Sequence, residues 1–223
     1  MKTRAANNLS IAAAISIISV FGISLGLTVP VIALVMAENG YSSAAIGAHV
    51  SVQFLGLMLV SPLTPVLLVR FGTSRLMIYG LLSIACIMAL FAVFSSVLSW
   101  LLLRFCLGAV EAIIFISADT WINQIAPPKR RGRIIGLYAT AISAGFGLGP
   151  FLLAYTGITG PKPFLVGAVI TLATVPILIS TYGQPPRVEP SSNYSQWGLT
   201  IKVPIPILFT MLFGILFASA FGL

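Results

Sequence analysis

The chain has 223 residues, of which 58% are hydrophobic and only 7% are charged, and its mean hydropathy is +1.08. So few charged side chains cannot cover the surface of a water-soluble domain of this size, so the composition excludes such a domain. A net charge of +8 would favour nucleic acid as the partner of a soluble protein. Here the basic residues lie between apolar runs rather than in one patch, so we expect no nucleic-acid partner.

The chain contains apolar runs that are long enough to cross a lipid bilayer as helices, which requires about 20 residues each. Seven such runs extend over approximately residues 9–36, 46–69, 76–98, 100–122, 134–156, 163–182 and 204–223. Their lengths exclude the strands of a membrane barrel, which have about 10 residues. The predicted fold is therefore an all-α integral membrane protein.

The positions of the basic residues predict the orientation. Ten of the twelve fall on the amino tail and in alternate loops: Lys2, Arg4, Arg70, Arg75, Lys129, Arg130, Arg131, Arg133, Arg187 and Lys202. The other side of the membrane receives only Lys162, and Arg104 lies within the fourth run. Because cytoplasmic loops are rich in Lys and Arg, we expect a cytoplasmic amino terminus and a location in the cell membrane, plasma or inner. Trp100 and Trp121, near the two ends of the fourth run, are expected at the membrane interfaces.

A proline-rich segment divides the chain into three parts. Residues 184–206 contain five prolines, so we predict a six-helix bundle over 1–183, a cytoplasmic linker over 184–203 and a seventh helix over 204–223. The seventh run ends at Leu223 without a polar flank. We expect that the chain stops early and lacks a carboxy-terminal bundle. The alternative is a complete protein with a bare apolar end.

Two motifs suggest a family. Residues 104–108 read Arg-Phe-Cys-Leu-Gly, and residues 145–150 read Gly-Phe-Gly-Leu-Gly-Pro. The first is similar to an Arg-x-x-x-Gly motif, and the second to a Gly-x-x-x-Gly-Pro motif associated with antiporters, both from the major facilitator superfamily. The chain resembles the amino-terminal half of such transporters, which pair two six-helix bundles across a cytoplasmic linker. The resemblance implies a six-helix bundle of this type plus part of a seventh helix, and transport by alternating access.

The loop after the second run adds a partial third motif. Residues 69–75 resemble the family signature Gly-x-x-x-Asp-Arg-x-Gly-x-x-Arg, with Pro65 and Val69 replacing its first two marks. The resemblance implies a cytoplasmic gate in which Asp119 supplies the acid and pairs with Arg70 or Arg75. The same ion pair could simply tether helix ends. The complete set of gate candidates is Arg70, Gly72, Arg75, Asp119, Arg131 and Arg133.

The fourth run carries two charges that are candidates for binding substrate or protons. Glu111 lies near the middle of this run, too deep for its side chain to reach a headgroup. It shares a helix face with Arg104 and Gly108, since seven residues turn through about 700°, but about 10 Å of rise makes a direct salt bridge improbable. We expect this face to line a water-filled cavity. The alternatives are a neutral, hydrogen-bonded Glu111 and an Arg104 that anchors at the interface. The single histidine, His49, is expected to be exposed or capping rather than a proton relay.

Small residues and prolines predict close helix packing and bends. Gly145, Gly147 and Gly149 would let helices approach closely, and Pro150 would bend the fifth run. We expect similar effects in the first two runs from Gly22, Gly26, Pro30, Pro62 and Pro65.

The residues present in the chain do not favour an enzyme. One histidine cannot build a paired-histidine metal site, and a phosphate-binding loop is missing. We therefore expect no catalytic residues, metal or cofactor. The predicted function is a secondary transporter for a small organic solute, with protons as coupling ion, working by efflux or exchange in contact with membrane lipid. A channel and a non-transporting scaffold or assembly subunit are the alternatives.

Overall fold

A computed structural model describes residues 2–181 of the chain, with side chains from Asn7 onward. The predicted linker over 184–203 and the predicted seventh helix over 204–223 lie outside the described residues.

The described chain is helical almost throughout. The helices are α1 (Lys2–Glu38), α2 (Ser43–Val60), α3 (Thr64–Phe71), α4 (Thr73–Val93), α5 (Val97–Ile125), α6 (Arg131–Thr156) and α7 (Lys162–Ser180). In the part of the chain that the structure describes, six helical segments are long and apolar enough to cross a membrane, one of them formed by α2 and α3 together. The all-α membrane fold and its first six spans are thus confirmed.

Two boundaries differ from the sequence prediction. The third run was expected to extend to residue 98, but α4 ends at Val93 and α5 already begins at Val97. The short connection is Phe94-Ser95-Ser96, which contains no charged residue, glycine or proline and so marks the turn only weakly. In the second span, a 3₁₀ turn at Ser61–Leu63 separates α2 from α3. Pro62 lies inside that turn, where its missing N–H and ring disfavour a regular α-helix.

A single glycine joins α3 to α4. Gly72 has a φ of 80°, in the left-handed region that favours glycine. Its N–H donates to the carbonyl of Leu68, and its own carbonyl accepts from Leu76. A predicted gate residue is therefore also the residue that reverses the chain.

The helices pack as three principal pairs. α1 packs mainly against α6, α2 against α5, and α4 against α7, while α5 also contacts α1 and α4. Counted as spans, these pairs are first with fifth, second with fourth, and third with sixth. The pattern is unchanged when spans one to three are exchanged with spans four to six. This is the packing expected of two related three-helix units.

Glycines bring α1 and α6 into backbone contact. A Cβ atom on any one of four glycines would overlap backbone atoms of the opposite helix: Gly22, Gly26, Gly145 and Gly149. Gly147 faces open space, so its expected part in this contact was wrong. On a helix, positions 145 and 149 share a face and position 147 points away from it. α6 continues through the exposed Pro150 as far as Thr156.

The two tryptophans of α5 are buried inside the helical bundle. Trp121 is fully buried and Trp100 is nearly so. Trp100 packs against Phe164 of α7 at 6.3 Å between ring centroids, and its indole N–H donates to the Phe94 carbonyl. Both rings are therefore buried within the bundle, and their level at the two membrane interfaces stays a prediction.

Candidate functional site

Five polar side chains meet inside the bundle and are called the polar cluster below. They come from α1, α2 and α5, and each is at most 1% exposed: Ser24, Thr28, Gln53, Arg104 and Glu111. Buried polar groups without partners are costly, above all inside a membrane. The hydrogen bonds within this cluster therefore decide what its charges can do.

Glu111 is the middle residue of α5, with 14 residues on either side between Val97 and Ile125. The Ser24 hydroxyl donates to its Oε1 at 2.7 Å, and the Gln53 amide nitrogen donates to its Oε2 at 2.8 Å. Both carboxylate oxygens thus have a donor from a different helix. The hydrogen-bonded environment that the sequence left as one alternative for Glu111 is present. The expectation that its helix face lines a water-filled cavity was wrong for the described residues, because Glu111 and Arg104 are both fully buried by neighbouring helices.

Arg104 lies two turns before Glu111 and is fully buried. Its Nη2 donates to the Thr28 carbonyl at 2.7 Å and approaches the Val29 carbonyl at 3.5 Å. Its Nη1 donates to Oε1 of Gln53. The alternative in which Arg104 reaches the membrane interface is contradicted, because the guanidinium turns inward to the backbone of α1. Its Nε–H has no hydrogen-bond partner among the described residues.

Gln53 connects the two charges. Its oxygen accepts from Arg104 and its nitrogen donates to Glu111, so the pair is bridged by one amide. Gln53 and Ser24 were not predicted from the sequence, because an uncharged polar residue in an apolar run is usually explained by packing or capping alone. The position of Gln53 three residues before Gly56, on the face that packs against α5, was a usable signal.

His49 lies one turn before Gln53 on α2 and is only 2% exposed. Its Nε2 lies 3.4 Å from the Val97 carbonyl oxygen at the start of α5. The expectation that His49 is exposed was wrong, because α2 packs this face against α5.

The gate candidates lie near the ends of the helices and remain a prediction. The Arg70 guanidinium lies 5.5 Å from the ring centroid of Phe71. Asp119 is exposed, and its backbone carbonyl accepts from the Asn123 side chain at 2.9 Å. Arg131 donates to the side-chain oxygen of Asn123 at 3.2 Å, which ties the start of α6 to the last turns of α5.

Arg133 lies in a cleft between the first turns of α1 and the start of α6. The cleft has a volume of about 860 Å³ and combines three basic residues with apolar and amide side chains; its lining includes Lys129, Arg130, Arg133, Asn7, Ile11 and Ile15. The structure thus separates Arg133 from Arg131, which contacts α5 instead. Between residues 7 and 181, no three His, Cys, Asp or Glu side chains form a group that could hold a metal ion.

Comparison with known proteins gives one family. The sequence profile of the Major Facilitator Superfamily matches residues 12–223. The chain is 30% identical over 156 residues to YfkF, an uncharacterized MFS-type transporter of Bacillus subtilis, which covers 70% of this chain and 40% of that protein. It is 26% identical over 202 residues to multidrug resistance protein 1 of Bacillus subtilis, covering 90% and 52% of the two chains.

More distant similarities agree with this result. Quinolone resistance protein NorA of Staphylococcus aureus is 22% identical over 176 residues, covering 78% of this chain and 45% of NorA. A crystal structure of the peptide transporter POT has the same fold, with a TM-score of 0.63 at 16% identity, over 96% of this chain and 46% of that one. The chain therefore spans about half the length of the curated relatives it matches, between 40% and 52% of the three named here.

Proposed function

This chain belongs to the Major Facilitator Superfamily, and from that premise we propose that the protein exports a small organic solute by alternating access, coupled to protons. Efflux as the direction is supported by the names of two relatives, a multidrug resistance protein and a quinolone resistance protein. In this proposal the protein lies in the cell membrane with a cytoplasmic amino terminus, as the distribution of basic residues indicates.

The observation that carries the proposal is the buried carboxyl group of Glu111 at the middle of α5. A charged side chain at the centre of a bilayer costs about 2.5 to 3.5 kcal/mol on insertion scales, so such residues usually serve ion or substrate pathways. Glu111 also has a protein donor on each oxygen, which allows it to exist as a carboxylate. We propose that it binds and releases the coupling proton.

We assign Arg104 the role of binding an acceptor group of the solute. Its Nε–H is a buried donor that the described residues leave unpaired, while its other nitrogens hold α1 and Gln53. A carbonyl, hydroxyl or anionic oxygen of a solute would satisfy this donor. Because Arg104 is fully buried here, helices of the bundle have to move apart before a solute can reach it. The opposite wall of the binding cavity would come from a carboxy-terminal bundle, as in the family arrangement of two bundles around a central site.

The gate is proposed at the end of the bundle where α3, α5 and α6 carry their charges. Asp119 would pair with Arg70 or Arg75 in one state and separate in the other, with Gly72 in the turn before α4 and Arg131 and Arg133 in the first turn of α6. The glycine contact of Gly145 and Gly149 with α1 would keep these helices together as a rigid body during the movement. Pro150 would give α6 its bend.

Transport by the product of the complete gene in liposomes tests the proposal. An imposed proton gradient should drive the accumulation of one or more compounds from a panel of amphipathic drugs and small metabolites. Glu111→Gln should lose proton-driven accumulation and keep solute binding. Glu38→Gln is the matched control, because Glu38 is an exposed acid at the end of α1.

The outcome also separates the rival functions. A channel would equilibrate the solute without responding to the proton gradient, and a scaffold would give no flux at all. Unchanged proton-driven flux in Glu111→Gln would remove Glu111 from the coupling site.

A further inference from the structure

The two oxygens of Glu111 face donors of different kinds. Oε2 faces the amide nitrogen of Gln53, and Oε1 faces the hydroxyl group of Ser24. An amide nitrogen can only donate a hydrogen bond, whereas a hydroxyl group can donate one and accept others. The two oxygens are therefore not equivalent sites for a proton.

Arg104 fixes the orientation of the Gln53 amide. A guanidinium group has donors and no acceptor, so the group of Gln53 that meets it has to be the oxygen. The nitrogen of Gln53 must then point to Glu111. If the amide turned over to accept a proton from Oε2, its nitrogen would face Arg104 and two donors would oppose each other. Oε2 thus remains an acceptor as long as Arg104 holds Gln53.

Ser24 has a second acceptor within its own helix. Three other hydroxyl groups on α1 donate to the carbonyl four residues earlier: Ser16 to Ala12 at 2.9 Å, Ser19 to Ile15 at 2.9 Å, and Thr28 to Ser24 at 2.7 Å. Ser24 donates to Glu111 instead. By the same helical geometry, its hydroxyl group can turn to the carbonyl of Val20.

We propose that Glu111 takes up its proton on Oε1 and that Ser24 is the positioning residue that receives the new hydroxyl group. A hydronium ion gives its proton to Oε1 and leaves as water, an O–H bond forms at Oε1, and the charge of Glu111 changes from −1 to 0. The Ser24 hydroxyl turns to Val20, and its oxygen accepts from Oε1. The bonds from Gln53 to Oε2 and from Arg104 to Gln53 persist. The use of this proton in transport rests on the proposed function, whereas the identity of the atom that binds it does not.

The surroundings define which other groups could contribute to a pH response. The other titratable groups on α5 itself are Arg104, Cys106 and Asp119, and α2 adds His49. The helices α1 and α2 otherwise face Glu111 with Ser24 and Gln53, which do not titrate. Titratable groups on the other helices packed against α5 lie outside the polar cluster: Arg70 on α3, Arg75, Tyr79 and Cys86 on α4, and Arg131, Arg133, Tyr138 and Tyr155 on α6. A test must therefore observe Glu111 itself.

Infrared difference spectra between high and low pH observe the protonated carboxyl group directly. The product of the complete gene in lipid nanodiscs should show a carbonyl band that Glu111→Gln removes. Ser24→Ala should move this band to higher wavenumber, because the acid loses its acceptor, and Ser24→Thr should restore it. Ser16→Ala is the matched control and should leave the band in place. Size-exclusion profiles check that each variant is folded.

A second measurement follows Gln53. With ¹⁵N-labelled glutamine, the side-chain amide signal that disappears in Gln53→Met should keep its position, apart from a small shift, while Glu111 is titrated. A band that does not respond to Ser24→Ala, a Gln53 signal that moves to a new position, or the absence of a Glu111 band would each overturn the inference. If the spectra behave as expected but no proton-driven transport occurs, only the proposed function fails.

Discussion

Arg104 on α5 donates a hydrogen bond to the backbone carbonyl oxygen of Thr28 on α1, with 2.7 Å between Nη2 and the oxygen. Thr28 lies two residues before Pro30, which is inside α1 and cannot donate to the carbonyl of Gly26. The guanidinium therefore binds the backbone of α1 close to the point where Pro30 interrupts the hydrogen bonds of that helix. Any movement of α1 relative to α5 must break this hydrogen bond, unless the Arg104 side chain moves together with α1.

The substitution Arg104→Lys tests this contact between α5 and α1. A lysine keeps the charge but cannot reproduce the fork that holds Gln53 and the carbonyl of Thr28 at the same time. We expect a loss of about 1 to 3 kcal/mol in the free energy of unfolding, because a buried acceptor is left without a donor. Thermal or denaturant unfolding in detergent measures the loss. Arg130→Lys, at an exposed position, is the control; equal stability of the two variants would contradict the assigned contacts.

Gln53→Met tests the bridge between the two charges. Methionine has a similar length but removes the acceptor of Arg104 and the donor to Oε2 of Glu111. We expect a loss of stability of about 1 to 3 kcal/mol and a loss of proton-driven transport. The matched control is Gln124→Met, since Gln124 is exposed near the end of α5.

A double-mutant cycle sharpens this test. The effects of Gln53→Met and Arg104→Lys on stability should fall short of additivity, because either change breaks the same hydrogen bond. Additive effects would show that the two side chains do not act on each other.

The polar cluster shows how far the sequence leads. Apolar run length predicted the first six spans, since the bilayer sets the length of a crossing helix. Helical periodicity placed Arg104 and Glu111 on one face, and a direct ion pair was rightly not expected. Gln53 and Ser24 could not be assigned, because their role arises only when α2 and α1 meet α5. Which helices meet is a tertiary property that no run of residues encodes locally.

The glycines of α6 give the same lesson for packing. Their spacing indicated a close approach, but only the pair at four-residue spacing lies on the face that meets α1. The turn at residues 94–96 was also missed, because it contains no charged residue, glycine or proline.

Gly149→Ala and Gly147→Ala form a matched pair on α6. A Cβ at position 149 would overlap the backbone of Gly26 and Leu27, whereas position 147 is open. We expect Gly149→Ala to lower stability by about 1 to 3 kcal/mol through overpacking. Gly147→Ala should be neutral or stabilising by up to about 1 kcal/mol, because alanine favours a helix. Unfolding midpoints of both variants decide the matter, and a Gly149→Ala variant as stable as the native chain would contradict the close contact.

The gate is tested by reversing its charges. Asp119→Arg should reduce the transport rate roughly tenfold, on the scale of typical coupling between sites, because the proposed closed state loses its ion pair. Combining it with Arg75→Asp or with Arg70→Asp should restore transport in one of the two combinations, which identifies the partner. Glu38→Arg, at the exposed end of α1, controls for the change in net charge. A double variant restores an ion pair with its charges exchanged, whereas each single substitution leaves two like charges facing each other. Only a double variant can therefore restore transport. Failure of both double variants, with normal folding, would mean that Asp119 does not close the gate with either arginine.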